Sequence, residues 1–241
     1  MDRIHSIIRS HLDGSVYEYG FANLAGFLAP QFSEFTHGIS ILRKLDDAII
    51  DAIADGPTRE YFDLYHTINA ELNNRVGKIA SELTDSGISC RAMYATVEDS
   101  ELDEEYHKNL AYVFSHKLVA TRAGLGWIGK TDLLVSKRFG PRVRLASIIM
   151  EYPLEQTRDA ITESLCGDCS LCVNACPGQA ATGKIWNVDT YRNEFFNPFK
   201  CRDYCRKVSL DRIDEAISLC GKCIEVCPRG RINQAGNKHE S

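Results

Sequence analysis

The sequence lacks any apolar run approaching the ~18 residues that suggest a membrane-crossing helix, so no membrane span is expected. Its opening, "MDRIHSIIRSHLDGS", interleaves Asp2, Arg3, His5 and Arg9 with apolar positions, and so lacks the continuous apolar centre of a secretory signal. There is no lysine-rich run, and the formal net charge is -5. A surface that neutralises nucleic-acid phosphates is basic, so nucleic acid is not an expected partner. Cysteine is nearly absent from the first two thirds: Cys90 stands alone, and the other nine of ten lie between Cys166 and Cys227. The expectation is a soluble, cytoplasmic protein, and in a reducing compartment such crowding points to metal ligation rather than a disulfide framework.

With 241 residues the chain can bury two cores, and the shift in cysteine content suggests a division into residues 1–155 and 156–241. In the first part, Ile4–Leu12 reads as a short amphipathic helix, Ile39–Leu42 as a strand and Asp46–Ala54 as a helix stopped at Asp55-Gly56. Pro57 suits the first position of the next helix. There Tyr61, Leu64, Tyr65, Ile68, Leu72, Val76, Ile79 and Leu83 recur at three- and four-residue steps until Gly87, the spacing of one apolar helix face. A strand is predicted over Ile88–Thr96, then an acidic turn "VEDSELDEE" and a helix from Glu104 to about Thr121. β-like runs follow at Leu133–Ser136 and Val143–Met150. Alternating helices and strands describe a layered α/β domain. Cys90, inside a predicted strand, reads as a small buried apolar residue.

The cysteines carry the specific signal. Cys166, Cys169, Cys172 and Cys176, followed by Pro177, form the run C-x2-C-x2-C-x3-C-P, in which three thiolates hold one iron-sulfur cubane and the fourth belongs to its neighbour. Cys220, Cys223 and Cys227, followed by Pro228, repeat the ending without the extra upstream cysteine. A crossed arrangement gives Cys166, Cys169, Cys172 and Cys227 to one [4Fe-4S] cluster, and Cys176, Cys220 and Cys223 to the other. Cys201 and Cys205 compete for its fourth corner. Two structural zinc sites are the rival reading, since they also use thiolates at C-x2-C spacing; the third cysteine two residues on and the Cys-Pro endings argue against them.

"RAGLGWIGKTDLL", Arg122–Leu134, matches two nucleotide patterns at once. Gly124, Gly126 and Gly129 spell G-x-G-x-x-G, and Gly124–Thr131 spells G-x-x-x-x-G-K-[ST]. Both need a strand before the loop and a helix after it. Here a helical pattern precedes it and a β-prone run follows, so a phosphate loop with Lys130 and Thr131 binding phosphate and magnesium is the remote alternative.

"RAGLGWIGK", followed by two β-like runs and a double-cluster segment, resembles the epoxyqueuosine reductases and, more distantly, the reductive dehalogenases; the likeness runs from about Tyr61 to Arg229. The resemblance implies an α+β architecture: a nitroreductase-like, corrinoid-binding layered α/β domain before a bacterial-type two-cluster ferredoxin domain. It implies a cobalamin cofactor held by the loop residues Arg122, Gly124, Gly126, Trp127, Gly129 and Lys130, and it favours Cys201 as the remaining cluster ligand. Two departures stand out. Counting back about twelve residues from Arg122, to where the family keeps a proton-donating Asp, reaches Leu110 with Asn109 beside it. Few residues follow the second cysteine motif, so the helical-repeat region with which the reductases hold tRNA is not expected. His116 and Lys117, just before the loop, are the weak candidates for a proton donor, with Tyr94 and Tyr112 as phenolic options; a helix-face histidine bonded to backbone competes for His116. Trp127 is as well explained by packing in a core as by packing on a ring cofactor. The function implied is an iron-sulfur oxidoreductase fed by a low-potential ferredoxin- or flavodoxin-type donor and reducing a small organic substrate. The alternative is a non-catalytic electron carrier docking a redox partner.

Overall fold

The computed structural model describes residues 2–97 and 99–231. Glu98, within the acidic turn, and residues 232–241 of the expected C-terminal domain lie outside the described residues. In chain order the regular elements are α1 (Asp2–His11), β1 (Tyr17–Asn23), β2 (His37–Lys44), α2 (Asp47–Asp51), α3 (Arg59–Asp85), β3 (Cys90–Met93), α4 (Glu104–Asn109), α5 (His116–Arg122), β4 (Gly126–Ile128), β5 (Leu134–Ser136), β6 (Val143–Met150), α6 (Leu171–Asn174), α7 (Arg192–Phe195), α8 (Pro198–Ile213) and α9 (Lys222–Glu225). They form two compact units, each assembled from three segments. The first comprises residues 1–44, 67–125 and 144–161, the second 45–66, 126–143 and 162–241. The cysteine-bearing unit is thus wider than the segment from residue 156 onward. Among the described residues no helix is long and apolar enough to cross a membrane.

The first unit is built on a four-stranded sheet in the order β1-β2-β6-β3. β1 and β2 run antiparallel, with Tyr17 opposite Arg43 and Asn23 opposite His37; β3 and β6 also run antiparallel, Cys90 opposite Met150. β6 reads "VRLASIIM" and is buried from Ala146 to Met150, as a central strand covered on both faces should be. β1 is not among the expected strands, although Tyr17, Tyr19 and Phe21 alternate along it with Gly20 on the other face. The glycine is needed there: a side chain would meet Ala123 O at 3.1 Å and Leu125 Cδ2 at 3.0 Å. Along α3, Ile68, Leu72, Val76, Ile79 and Leu83 are buried as their spacing requires, while Leu64 and Tyr65 are half-buried. The helix starts two residues later than Pro57 suggests. Thr58 caps it, its hydroxyl accepting the Tyr61 N–H at 3.2 Å and satisfying an orphan amide of the first turn.

Two other expectations are corrected. The helix predicted from Glu104 to Thr121 is two helices. Leu110 takes a left-handed conformation (φ 49°) that ends α4. Ser115 then caps α5 by accepting the Leu118 N–H, and Phe114 is buried edge-on against Phe32 at 5.8 Å between ring centres. Of the apolar run at 110–114 only Phe114 enters the core, and the run does not extend a helix. The two expected β-like runs are strands, β5 pairing with β4 and β6 joining the large sheet. β3 spans only Cys90–Met93, and Cys90 is half-buried beside Ala80 O and Thr84.

The second unit has little apolar core in its cysteine segment. From residue 162 onward, the buried apolar residues among those described are Ala180, Phe195, Phe196, Cys205, Ile213 and Leu219. Polar clamps supplement them. Arg142 is fully buried, and its guanidinium donates to Asp47 Oδ1 at 3.0 Å and Asp51 Oδ1 at 2.5 Å, which ties α2 to the strand-connecting loop.

Candidate iron-sulfur site

In the second unit, β4 and β5 form a tight antiparallel hairpin with Gly126 opposite Ser136 and Ile128 opposite Leu134. Gly126 has no room for a side chain, since a Cβ would stand 2.4 Å from Val135 O. At Gly129 a Cβ would stand 3.0 Å from Val135 Cγ2 and 3.8 Å from Cys166 Sγ. These glycines therefore serve close approach of protein to protein. No helix opens after Thr131: the Asp132 N–H bonds back to Gly129 O, and Gly129 N–H to Leu133 O, closing a turn into β5. α5, not a strand, precedes the loop. Both nucleotide readings are corrected by this geometry, because neither flank presents a row of free amides to an anion.

The polar groups of the hairpin go to the cysteine segment. Trp127 is 3% exposed, and its indole N–H donates to Cys166 Sγ at 3.3 Å. Lys130 is 4% exposed, and its ammonium donates to Cys169 O at 3.0 Å. Thr131, also buried, bonds the thiol of Cys223 through its hydroxyl. Arg122 and Gly124 belong to the first unit. There Arg122 donates to Asn23 O at 3.0 Å and lies 4.0 Å over the Phe27 ring, and a Cβ at Gly124 would stand 2.6 Å from Asp159 O. Of the residues that the resemblance nominates for a corrinoid, Arg122, Trp127 and Lys130 thus direct their side-chain groups to neighbouring protein.

The cysteines assemble by short local elements. The Cys169 N–H bonds Cys166 O to make the first turn, and Cys176 Sγ accepts the Ala180 N–H at 3.4 Å. Asn197 caps α8 by accepting the Lys200 N–H, and α8 carries Cys201 and Cys205 one helical turn apart on the same face. Gly221, in a left-handed conformation (φ 81°), starts α9; a Cβ there would stand 2.3 Å from Ile53 Cδ1. All ten cysteines are free thiols.

Two groups of thiols emerge. Burial pushes Cys172 up to about 11, and the nearby thiols of Cys227, Cys166 and Cys169 push the same way. Burial likewise raises Cys227, with Cys166 and Cys169 adding to it. Residues of both motifs therefore meet in one group. In the other, burial raises Cys223, with Cys201, Cys220 and, most weakly, Cys172 of the first group reinforcing it and the Thr131 hydroxyl opposing. Cys205 lies 3.8 Å from Cys201 Sγ and hydrogen-bonds Cys220 as well. Those bonds raise Cys205 and lower both partners, Cys220 to about 7. Cys176 and Cys201 pack against one small cluster of Ile128, Ala180, Phe195 and Phe196. The donor set is chemically suited to two thiolate-ligated clusters. Among the described residues, no three His, Cys, Asp or Glu side chains converge as a single metal ion would require.

His116, the candidate acid, has both ring nitrogens engaged. Nε2 donates to Tyr94 O at 2.9 Å, which leaves Nδ1 to accept from the Ser147 hydroxyl at 2.9 Å. Burial pushes its pKa down to about 4, with Arg144 adding to the effect. The imidazole is a neutral bridge between α5 and the sheet, which corrects its nomination as proton donor. Lys117 lies beside it in the first turn of α5. Tyr94 is 52% exposed, and burial raises the Tyr112 phenol.

Residues 165–230 match the family described as "4Fe-4S double cluster binding domain". A curated epoxyqueuosine reductase from Leadbetterella byssophila is 30% identical over 112 residues, covering 46% of this chain and 36% of that one. The chain resembles epoxyqueuosine reductase. Solved structures agree in fold. A crystal structure of epoxyqueuosine reductase with a modified tRNA-Tyr stem loop superposes with a TM-score of 0.56 at 17% identity, over 96% of this chain and 65% of that one. A catabolic reductive dehalogenase superposes with a TM-score of 0.63 at 17% identity, over 90% of this chain and 30% of that one. The chain spans about a third of the length of the curated epoxyqueuosine reductase it matches. A structural neighbour bound to tRNA also removes the force of the charge argument: a net charge of -5 does not exclude nucleic acid as a partner.

Proposed function

We propose that the chain is an iron-sulfur oxidoreductase whose second unit holds two [4Fe-4S] clusters and passes single electrons to an acceptor. Cys166, Cys169, Cys172 and Cys227 hold one cluster; Cys176, Cys201, Cys220 and Cys223 hold the other. The observation that carries the reading is the meeting of Cys172 with Cys227, a thiol of the second motif among those of the first, which is the crossed pattern of two-cluster ferredoxins. Cys201 is taken as the ligand rather than Cys205 because the resemblance favours it and because Cys201, with Cys176, packs against the small cluster of Ile128, Ala180, Phe195 and Phe196. When bound, the clusters supply one-electron transfer at potentials that burial and hydrogen bonding adjust. The chain's own residues hold the thiols in place; Cys169 is exposed and the other seven proposed ligands are half-buried.

The substrate and the acceptor rest on likeness. A nitroreductase-like front domain, a corrinoid acceptor and a ferredoxin- or flavodoxin-type donor follow from the resemblance, as does reduction of a small organic substrate or of a nucleoside within tRNA. The side chains of Arg122, Trp127 and Lys130 bond to neighbouring protein, which supports a non-catalytic electron carrier as the second reading. Anaerobic titration with cobalamin separates them: a bound-corrinoid spectrum supports the first, and its absence the second.

The ligand set is tested by iron analysis of anaerobically prepared variants. Cys172→Ala and Cys201→Ala should each lose about half of the iron, and Cys205→Ala should keep all of it. Full iron in Cys201→Ala with loss in Cys205→Ala would exchange the two roles. Full iron in Cys172→Ala would contradict the crossed set.

A further inference from the structure

We propose that the β4–β5 hairpin sets the reduction potentials of the two clusters, Trp127 acting on one and Thr131 on the other. The inference rests on the ligation proposed above. The Trp127 indole N–H points at Cys166 Sγ from 3.3 Å, and Cys166 belongs to the first thiol group. Four residues later, across the turn, the Thr131 hydroxyl bonds Cys223, a member of the second. A hydrogen bond to a ligand sulfur stabilises the reduced cluster, which carries one more negative charge, and so raises the potential. Both donors are buried, at 3% and 8% exposure, so water cannot take their place and each bond acts in a low-dielectric setting.

The hairpin is suited to hold both donors still. Gly126 and Gly129 allow β4 and β5 to approach closely, the Gly129 N–H to Leu133 O bond closes the turn, and Lys130 fastens the turn to Cys169 O. Arg229, 5.7 Å from the Trp127 ring centre, covers the indole. The motif Gly126–Thr131, which reads as a nucleotide loop, is on this account an electrostatic clamp on two metal centres. Trp127 and Thr131 are positioning residues, since neither supplies a ligand atom.

The test is a potentiometric titration followed by electron paramagnetic resonance, with iron counted in parallel, on the full chain and on Trp127→Phe and Thr131→Val. Each substitution removes one donor and keeps most of the side-chain volume. Trp127→Phe should lower the potential of one cluster only, changing its oxidised-to-reduced ratio at fixed potential about tenfold, equivalent to 59 mV for one electron. Thr131→Val should shift the other cluster alone, and Thr131→Ser, which restores a hydroxyl, should return it to the wild-type value. Unchanged potentials with full iron would overturn the proposal, as would equal shifts of both clusters in either variant. If a variant loses iron, Thr131→Ser still decides: a wild-type potential supports the clamp, and a potential shifted despite the retained hydroxyl refutes it. A wild-type protein without two cluster signals would instead sink the ligation reading.

Discussion

The two units of this chain solve the same problem with different materials. The first is held by a sheet and by the apolar face of α3, where Leu72, Val76, Ile79 and Leu83 are fully buried. The second offers six buried apolar residues in its last seventy described positions, too few for a core of that length, and concentrates nine cysteines instead. One unit is stabilised by removing hydrocarbon from water. On the proposed reading the other depends on ligation for its fold. Function would then divide along the same line, the ligated segment holding the electron-carrying clusters.

The comparison can be broken most directly by stripping iron. Chelation of the anaerobic protein should lower amide protection across residues 162–231 by about a hundredfold or more, and leave α3 from Ile68 onward and β6 within about threefold of their starting values. Equal loss in both units would mean that the contrast is false. Leu72→Ala sharpens it from the other side. Truncating a fully buried leucine should cost about 3 kcal/mol in the thermal stability of the first unit, with iron content unchanged. The smallest effect is in pH. His116 has a folded pKa of about 4, below the ~6.5 of an unfolded histidine, so the unfolded chain takes up the proton first. The stability it contributes is fully present above about pH 6.5 and is lost as pH falls towards 4, by roughly 2 kcal/mol. Comparing unfolding of the first unit with that of His116→Asn should show this slope disappear.

What the sequence makes legible follows from how local each signal is. The α3 face repeats at the spacing of one helix, and its reading matches the structure; the cysteine motifs, each local to one loop, are legible as a double-cluster segment. The break at Leu110 was signalled by Ser115, a helix-capping residue in mid-pattern, but the apolar run beside it masked the signal. β1 goes unread although Tyr17, Tyr19 and Phe21 alternate along it; Gly20, on its other face, has its reason in a neighbour a hundred residues away. The glycine loop misleads most. Its spacing reports that two backbones come close and says nothing of whether the second is a nucleotide, a corrinoid or, as here, its own hairpin partner. Thr131 gained its role only when Cys223 was brought beside it. Segments 45–66 and 126–143 join the cysteine unit through packing of Ile53, Tyr61 and Trp127, contacts that no local pattern announces.

The most direct test is a metal count on protein prepared without oxygen. Two cubanes require about eight irons per chain with matching sulfide and little zinc, together with the brown colour of such centres. A colourless protein containing two zinc ions per chain and no sulfide would contradict the account.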